Sequence, residues 1–216
     1  MSQVETGLRR VLSSPVVYSG FQYLMGAASG WRRLIDDYIK PFPGARVLDV
    51  GCGPADLLGY LGEVEYWGYD ISADYIAHAR AKYGARGHFS CKLLTAADLA
   101  TLPRFDRVVL SGVLHHLDDD VARELLRLVR AALVPGGWLV AVDPCLVEGQ
   151  NPVARFLIER DRGQNVRTEA AYAALVSPIF EYSRMEIRHK VWIPYTHCYM
   201  VCGMTNAAIE QGVETE

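Results

Sequence analysis

The chain has 216 residues, half of them hydrophobic and 22% charged, with a formal net charge of -3. That length buries one sizeable core, and the composition is that of an ordinary globular domain. The slightly acidic balance excludes the basic footprint of a nucleic-acid binder, and no apolar run is long enough for a signal peptide or a membrane span.

Residues 1–40 read as helical in parts and precede the first strand, so they are expected to cap the sheet. Tyr18, Phe21 and Gln22 fall in this stretch. Two roles suit Tyr18 to Gly30: a lid over a bound cofactor, or core packing of an N-terminal helix. Pro41, Pro43 and Gly44 punctuate the chain before a strand from Ala45 to Val50. A helix is expected over Ala55 to Gly62, then a strand over Glu65 to Asp70. Ser72 has the position of an N-cap for a helix over Ala73 to Tyr83. A third strand follows from about His88 to Leu93, a helical turn from Thr95 to Leu99, and a fourth strand from Phe105 to Ser111. Asp119 starts the helix Val121 to Leu133, where Leu125, Leu128, Val129 and Ala132 recur at helical spacing. Pro135-Gly136-Gly137 makes a turn into a fifth strand, Trp138 to Asp143. Short apolar runs alternating with helices predict parallel strands joined by crossovers.

Beyond Asp143 a helix is expected over Asn151 to Arg160, a break over Gly163 to Val166, and a helix capped by Thr168 and ending near Val176. Two last strands, Phe180 to His189 and His197 to Met204, are joined by a short loop, which favours an antiparallel pair. The expected division is a helical cap over 1–40, a main domain over 41–206 and a tail over 207–216. Five cysteines, Cys52, Cys91, Cys145, Cys198 and Cys202, include no Cys-x-x-Cys pair. They point to thiols in a reducing cytoplasm rather than to a disulfide framework or a metal site.

The strongest local signal is Val47 to Ala55, a buried strand running into Gly51 and Gly53. Glycine permits backbone conformations and close ligand approach that a side chain blocks. Asp70 ends the next strand, where a carboxylate accepts hydrogen bonds from ribose hydroxyls. Together they predict a nucleoside site. A dinucleotide fingerprint needs a third glycine beside the pyrophosphate, but Asp56 stands there and repels an anion. S-adenosylmethionine (SAM) carries no phosphate and meets no such objection. Asp49, just before the turn, suits a cationic cofactor or a structural cap.

These segments resemble the motifs of class I SAM-dependent methyltransferases acting on small molecules. Val47 to Ala55 resembles the first motif, with Ala55 where the family has its third glycine. Tyr69-Asp70-Ile71-Ser72 resembles the second; the resemblance implies that Asp70 binds ribose and Ile71 packs on adenine. Phe105 to Val109 with Leu114-His115-His116-Leu117, and Leu133 to Leu139, resemble the motifs at the fourth and fifth strands. The resemblance covers residues 45–143. It implies a Rossmann-like three-layer α/β sandwich with a seven-stranded, mostly parallel sheet, its last strand antiparallel. It further implies SAM as cofactor and a small-molecule methyl acceptor. The expected cofactor site is Asp49, Gly51, Gly53, Asp70, Ile71, Ser111 and Tyr18. An adenine-contacting acid after the third strand is missing, with Asp98 or backbone contacts as the alternatives.

Methyl transfer requires an aligned acceptor and exclusion of water, and a base when the acceptor carries a proton. His115 and His116, after the fourth strand, and Asp143, ending the fifth, are the catalytic candidates; each can instead close a loop or cap a turn. Asp161, Arg162, Tyr195 and His197 are candidates for acceptor contacts, with a solvated charge run or a strand edge as the alternatives. No nucleic acid, membrane or metal is expected as a partner. Two other functions share the glycine turn and Asp70: an NAD(P)-dependent Rossmann oxidoreductase and a non-catalytic SAM-binding partner protein.

Overall fold

The computed structural model describes residues 27–160, 163–190 and 195–205. Seven strands lie side by side: β1 (Ala45–Val50), β2 (Val64–Asp70), β3 (His88–Cys91), β4 (Phe105–Ser111), β5 (Leu133–Leu146), β7 (Tyr182–Lys190) and β8 (Tyr195–Gly203). Their spatial order is β3-β2-β1-β4-β5-β8-β7, and a two-residue β6 (Arg167–Thr168) pairs with the end of β5. β1 to β5 pair in parallel, whereas β8 runs antiparallel to both neighbours. The expected sheet, with its antiparallel last strand, is what the chain forms.

The central strands are largely apolar because both faces are covered. Leu48, Val108, Leu110, Leu139, Ala141 and Met200 meet one helical layer, formed by α4 (Asp119–Ala132) and α5 (Glu169–Val176). Val47, Val109, Val140, Val142 and Val201 meet the other, where α2 (Ala73–Tyr83) contributes Ile76 and Ala79. Caps fix the helix starts. The Ser72 hydroxyl accepts from the Tyr75 amide at 3.3 Å and Thr168 from Ala171 at 3.3 Å, as their positions predict. The short α3 (Ala96–Leu99) carries a reciprocal capping box between Thr95 and Asp98.

The chain before β1 lies on the second face. α1 (Ala27–Arg33) continues into a wider turn, Leu34–Ile39, and ends at Lys40 with a left-handed φ of 44° before Pro41. Leu34, Ile35, Tyr38 and Ile39 are buried there, with Tyr38 stacked on Tyr199 at 4.7 Å. Arg107 ties this segment down, donating from Nε to the Ile39 carbonyl at 2.6 Å and from Nη2 to that of Lys40 at 3.2 Å. Its guanidinium lies 3.2 Å from the Trp138 ring centre, and the Trp138 indole donates to the Tyr38 carbonyl at 2.9 Å.

Three elements differ from expectation. Residues 55–62 form a single 3₁₀ turn, Asp56–Gly59, rather than a helix. Ala55 ahead of it is left-handed, with φ 58°, and Gly59 and Gly62 weaken a helix further. The third strand stops at Cys91, because Thr95 and Asp98 draw the chain into their cap. β5 is longer at both ends. Its ladder to β4 jumps from Phe105–Leu133 to Arg107–Trp138, and the expected turn is the resulting bulge, with Gly136 at φ 83°.

Among the described residues no helix is long and apolar enough to cross a membrane. Cys145, Cys198 and Cys202 are buried, Cys52 is half-buried and Cys91 is exposed. A cleft of about 580 Å³ between the starts of β2 and β3, lined by Val64, Glu65, Arg86 and His88, lies at the opposite end of the sheet from the glycine loop.

Candidate active site

β1 ends in Gly51, φ 76°, and Gly53, φ 54°, both left-handed turns that suit glycine. Gly51 has a second reason to lack a side chain. A Cβ there would stand 2.5 Å from Cγ2 of Val113, so the glycine admits the β4–α4 turn. At Gly53 a Cβ would meet nothing nearer than Tyr75 at 4.0 Å, so that approach is open. The Gly51 and Cys52 amides donate to the Tyr69 carbonyl at 2.7 and 3.0 Å, which clamps the loop to the end of β2.

Asp70 completes the loop. One carboxylate oxygen accepts from the Gly53 amide at 2.9 Å and the other from Ser72 at 2.8 Å. Each carboxylate oxygen has a second lone pair, an acceptor set that fits the donating hydroxyls of a ribose diol. Ile71, beside it, is 52% exposed, an apolar surface where the resemblance places adenine. The glycine loop, Asp70 and Ile71 therefore fit an adenosine. Asp49 is buried below this rim and accepts a 2.7 Å hydrogen bond from the Tyr66 hydroxyl. Burial pushes its carboxyl up to about 7, against the Tyr66 bond and with help from the charge of Asp70. Asp98 is spent on its cap, accepting from the Thr95 amide and hydroxyl and pairing with Lys92.

The register aligns Ser111 with Val142, so the ends of β4 and β5 rise side by side. The Gly112 amide donates to the Val142 carbonyl at 2.8 Å, and a 3₁₀ turn, Leu114–His116, follows. This geometry joins two of the predicted residues. Oδ1 of Asp143 accepts from the His115 amide at 3.1 Å and lies 2.7 Å from His115 Nδ1. With that oxygen also accepting an amide proton, the contact suits a tautomer that carries its proton on Nδ1. Asp143 is wholly buried, and its Oδ2 has no hydrogen-bond partner among the described residues. Burial raises its carboxyl above the usual range, while the bonds from His115 and the nearby charge of Arg167 oppose the rise. The His116 ring, less buried, packs 4.1 Å from that of His115.

Tyr195 and His197 pack ring on ring at 4.9 Å at the start of β8, and His197 pairs with Pro144. They share the rim with Asp143. Their neighbour two residues on, Tyr199, belongs to the opposite face of the sheet from Cys145, two residues beyond Asp143. The two pairs therefore flank the sheet edge from opposite sides. Tyr18, Asp161 and Arg162 lie outside the described residues.

Arg167 is a central residue that sequence reasoning missed. It is 8% exposed and donates to the carbonyls of Leu114 at 2.8 Å and Leu117 at 2.7 Å, and to Asp119 at 2.8 and 3.0 Å. Nothing in the sequence couples an arginine in a break after Gly163 to a turn about 50 residues earlier; the only local hint is its place next to the Thr168 cap.

Residues 48–139 match a family model described as a methyltransferase domain. A nonribosomal peptide synthetase of Salinispora arenicola, CymA, is 34% identical over 120 residues, which is 52% of this chain and 2% of that protein. Mouse acetylserotonin O-methyltransferase is 40% identical over 93 residues, 40% of this chain and 24% of that enzyme. The chain thus spans a quarter or less of these curated relatives. Among solved structures, the pyocyanin biosynthetic protein PhzM has a TM-score of 0.65 at 17% identity, over 88% of this chain and 59% of its own. Human N-acetylserotonin methyltransferase, solved with SAM, has a TM-score of 0.62 at 17% identity, over 88% and 55%. YcgJ of Bacillus subtilis has 0.61 at 14%, over 82% of this chain and all of its own. At such identities the likeness is one of fold. Residues 48–139 of this chain are thus similar to a methyltransferase domain, and the chain shares the fold of these solved proteins.

Proposed function

We propose that this protein transfers the methyl group of SAM to a hydroxyl oxygen of a small molecule. The observation that carries the reading is the 2.7 Å contact between His115 Nδ1 and buried Asp143 at the adjacent ends of β4 and β5. SAM supplies an electrophilic methyl group on a sulfonium. Asp70 and the glycine loop hold adenosine, with Ile71 along the base; Asp49 lies below the loop, and Ser111 lines the rim. His115, oriented by Asp143, takes the acceptor proton on Nε2 as the oxygen–methyl bond forms and the methyl–sulfur bond breaks. Such a base contributes about 10²–10⁴-fold. An oxygen acceptor is favoured because a hydroxyl has a proton to lose, and because mouse acetylserotonin O-methyltransferase is among the relatives. Tyr195 and His197 at the rim, together with Tyr18, Asp161 and Arg162, are the proposed further contacts to acceptor and cofactor. The proposed setting is cytoplasmic, in keeping with five free thiols.

The test is formation of S-adenosylhomocysteine (SAH) from SAM with a panel of phenols and other hydroxylated small molecules. His115→Gln is expected to slow turnover about 100-fold or more while SAM affinity by calorimetry stays within about twofold. Turnover equal to the parent protein would remove His115 from the chemistry, and heat with NADH instead of SAM would overturn the whole reading.

A further inference from the structure

The chain that leaves β5 returns to the β4–α4 turn and closes on His115. Gly163 is buried against it: a Cβ there would stand 1.9 Å from His115 Cδ2 and 2.6 Å from the His115 carbonyl oxygen. One of those atoms is backbone, so no rotamer change relieves the clash. The Asn165 amide donates to the same carbonyl at 3.0 Å. Arg167 engages the turn itself, holding the carbonyl just before His115, that of Leu114, and the one two residues after it, that of Leu117. It also holds the Asn165 carbonyl at 3.0 Å, and its Nε and Nη2 share Asp119 Oδ1 at the start of α4.

Only a planar, five-donor group serves several fixed carbonyls and a carboxylate at once; a lysine ammonium carries three donors on a flexible stem and cannot match that fork. Burying a guanidinium is costly unless each donor is matched, and here the matched groups are those that shape the His115 turn. We propose that Arg167 and Gly163 are positioning residues that hold the imidazole of His115 on Asp143. Arg167 fixes the Leu114–Leu117 backbone, and Gly163 leaves room for the ring beneath the returning chain. The nearby positive charge also opposes the rise that burial imposes on the Asp143 carboxyl. The catalytic consequence rests on the proposed base role of His115; the positioning does not.

Long-range proton–nitrogen spectra of histidine-labelled protein at neutral pH test this, with His115 assigned by its loss in His115→Gln. The parent protein is expected to show His115 as one tautomer, protonated on Nδ1. Arg167→Lys and Gly163→Ala, each checked for a cooperative melt and for SAH affinity within about twofold of the parent, are expected to show averaged nitrogen shifts for His115. Turnover of the phenol panel is expected to fall about tenfold or more in the same variants. If Arg167→Lys does not fold, Gly163→Ala decides. Folded variants with parental His115 shifts would overturn the proposal. Changed shifts with parental turnover would leave the positioning intact and sink the base role of His115 instead.

Discussion

Asp49 couples the glycine turn to the acidity of the solution. Its carboxyl titrates near 7 when folded, against 3.8 when solvated. Between those values the folded chain binds more protons at this position than the unfolded chain, so its contribution to stability falls as pH rises from about 4 to about 7 and is level above. Thermal melts of the unliganded protein across pH 5–8 are expected to fall more steeply than those of Asp49→Asn, which keeps an oxygen for the Tyr66 hydroxyl but cannot ionise; equal slopes would contradict this. Ala55 makes a second point about single residues. A non-glycine residue in the left-handed region costs roughly 1–2 kcal/mol, and the buried methyl returns about 0.8 kcal/mol. Ala55→Gly is therefore expected to be neutral or to stabilise by up to about 1 kcal/mol in denaturant melts, with SAH affinity retained. A loss beyond about 1 kcal/mol would show that the methyl packs better than its burial suggests. Ala55, where the resemblance expects a glycine, is left-handed. It was visible in the sequence, but its backbone conformation was not.

Elements buried on both sides were the most legible. β1 and β4 keep their expected bounds because a strand covered on two faces is mostly apolar, and β2 starts one residue earlier than expected. The turn after Ala55 was misread as a helix because its composition is helical, while Pro54, the left-handed Ala55 and two glycines are what decide. Each partner of the His115–Asp143 pair stood legibly at a strand end. Their contact depends on the β4–β5 register and on Arg167, and neither is a local property of the chain. At this scale Arg107 is the clearest mutational target. It holds the last turn before β1 against the sheet through the carbonyls of Ile39 and Lys40. Arg107→Met is expected to destabilise the protein by about 2–4 kcal/mol, since the Ile39 carbonyl loses a buried partner and Trp138 loses its cation. Urea unfolding measures this, and a change under about 0.5 kcal/mol would mean that the segment is held by its apolar side chains alone.

The whole molecule presents two unlike ends. Glycine loop, Asp70, His115, Asp143 and the start of β8 gather at one rim of the sheet, as expected of a parallel α/β fold that binds ligands beyond the carboxyl ends of its strands. A ligand that binds only the folded state raises its stability by about 2.7 kcal/mol at a hundred times its dissociation constant. SAH at that excess is expected to raise the melting temperature by several degrees, and NADH at equal concentration to leave it unchanged. The reverse pattern would favour an oxidoreductase.

The antiparallel course of β8 carries a practical consequence. Its first residues stand at the His197–Pro144 pair, and its last, Gly203, lies opposite Trp138 and Tyr182. Gly203 therefore stands at the end of the sheet away from the reacting groups. Bulk added just past that end, as by Thr205→Trp at an exposed position, should leave turnover at the parental rate.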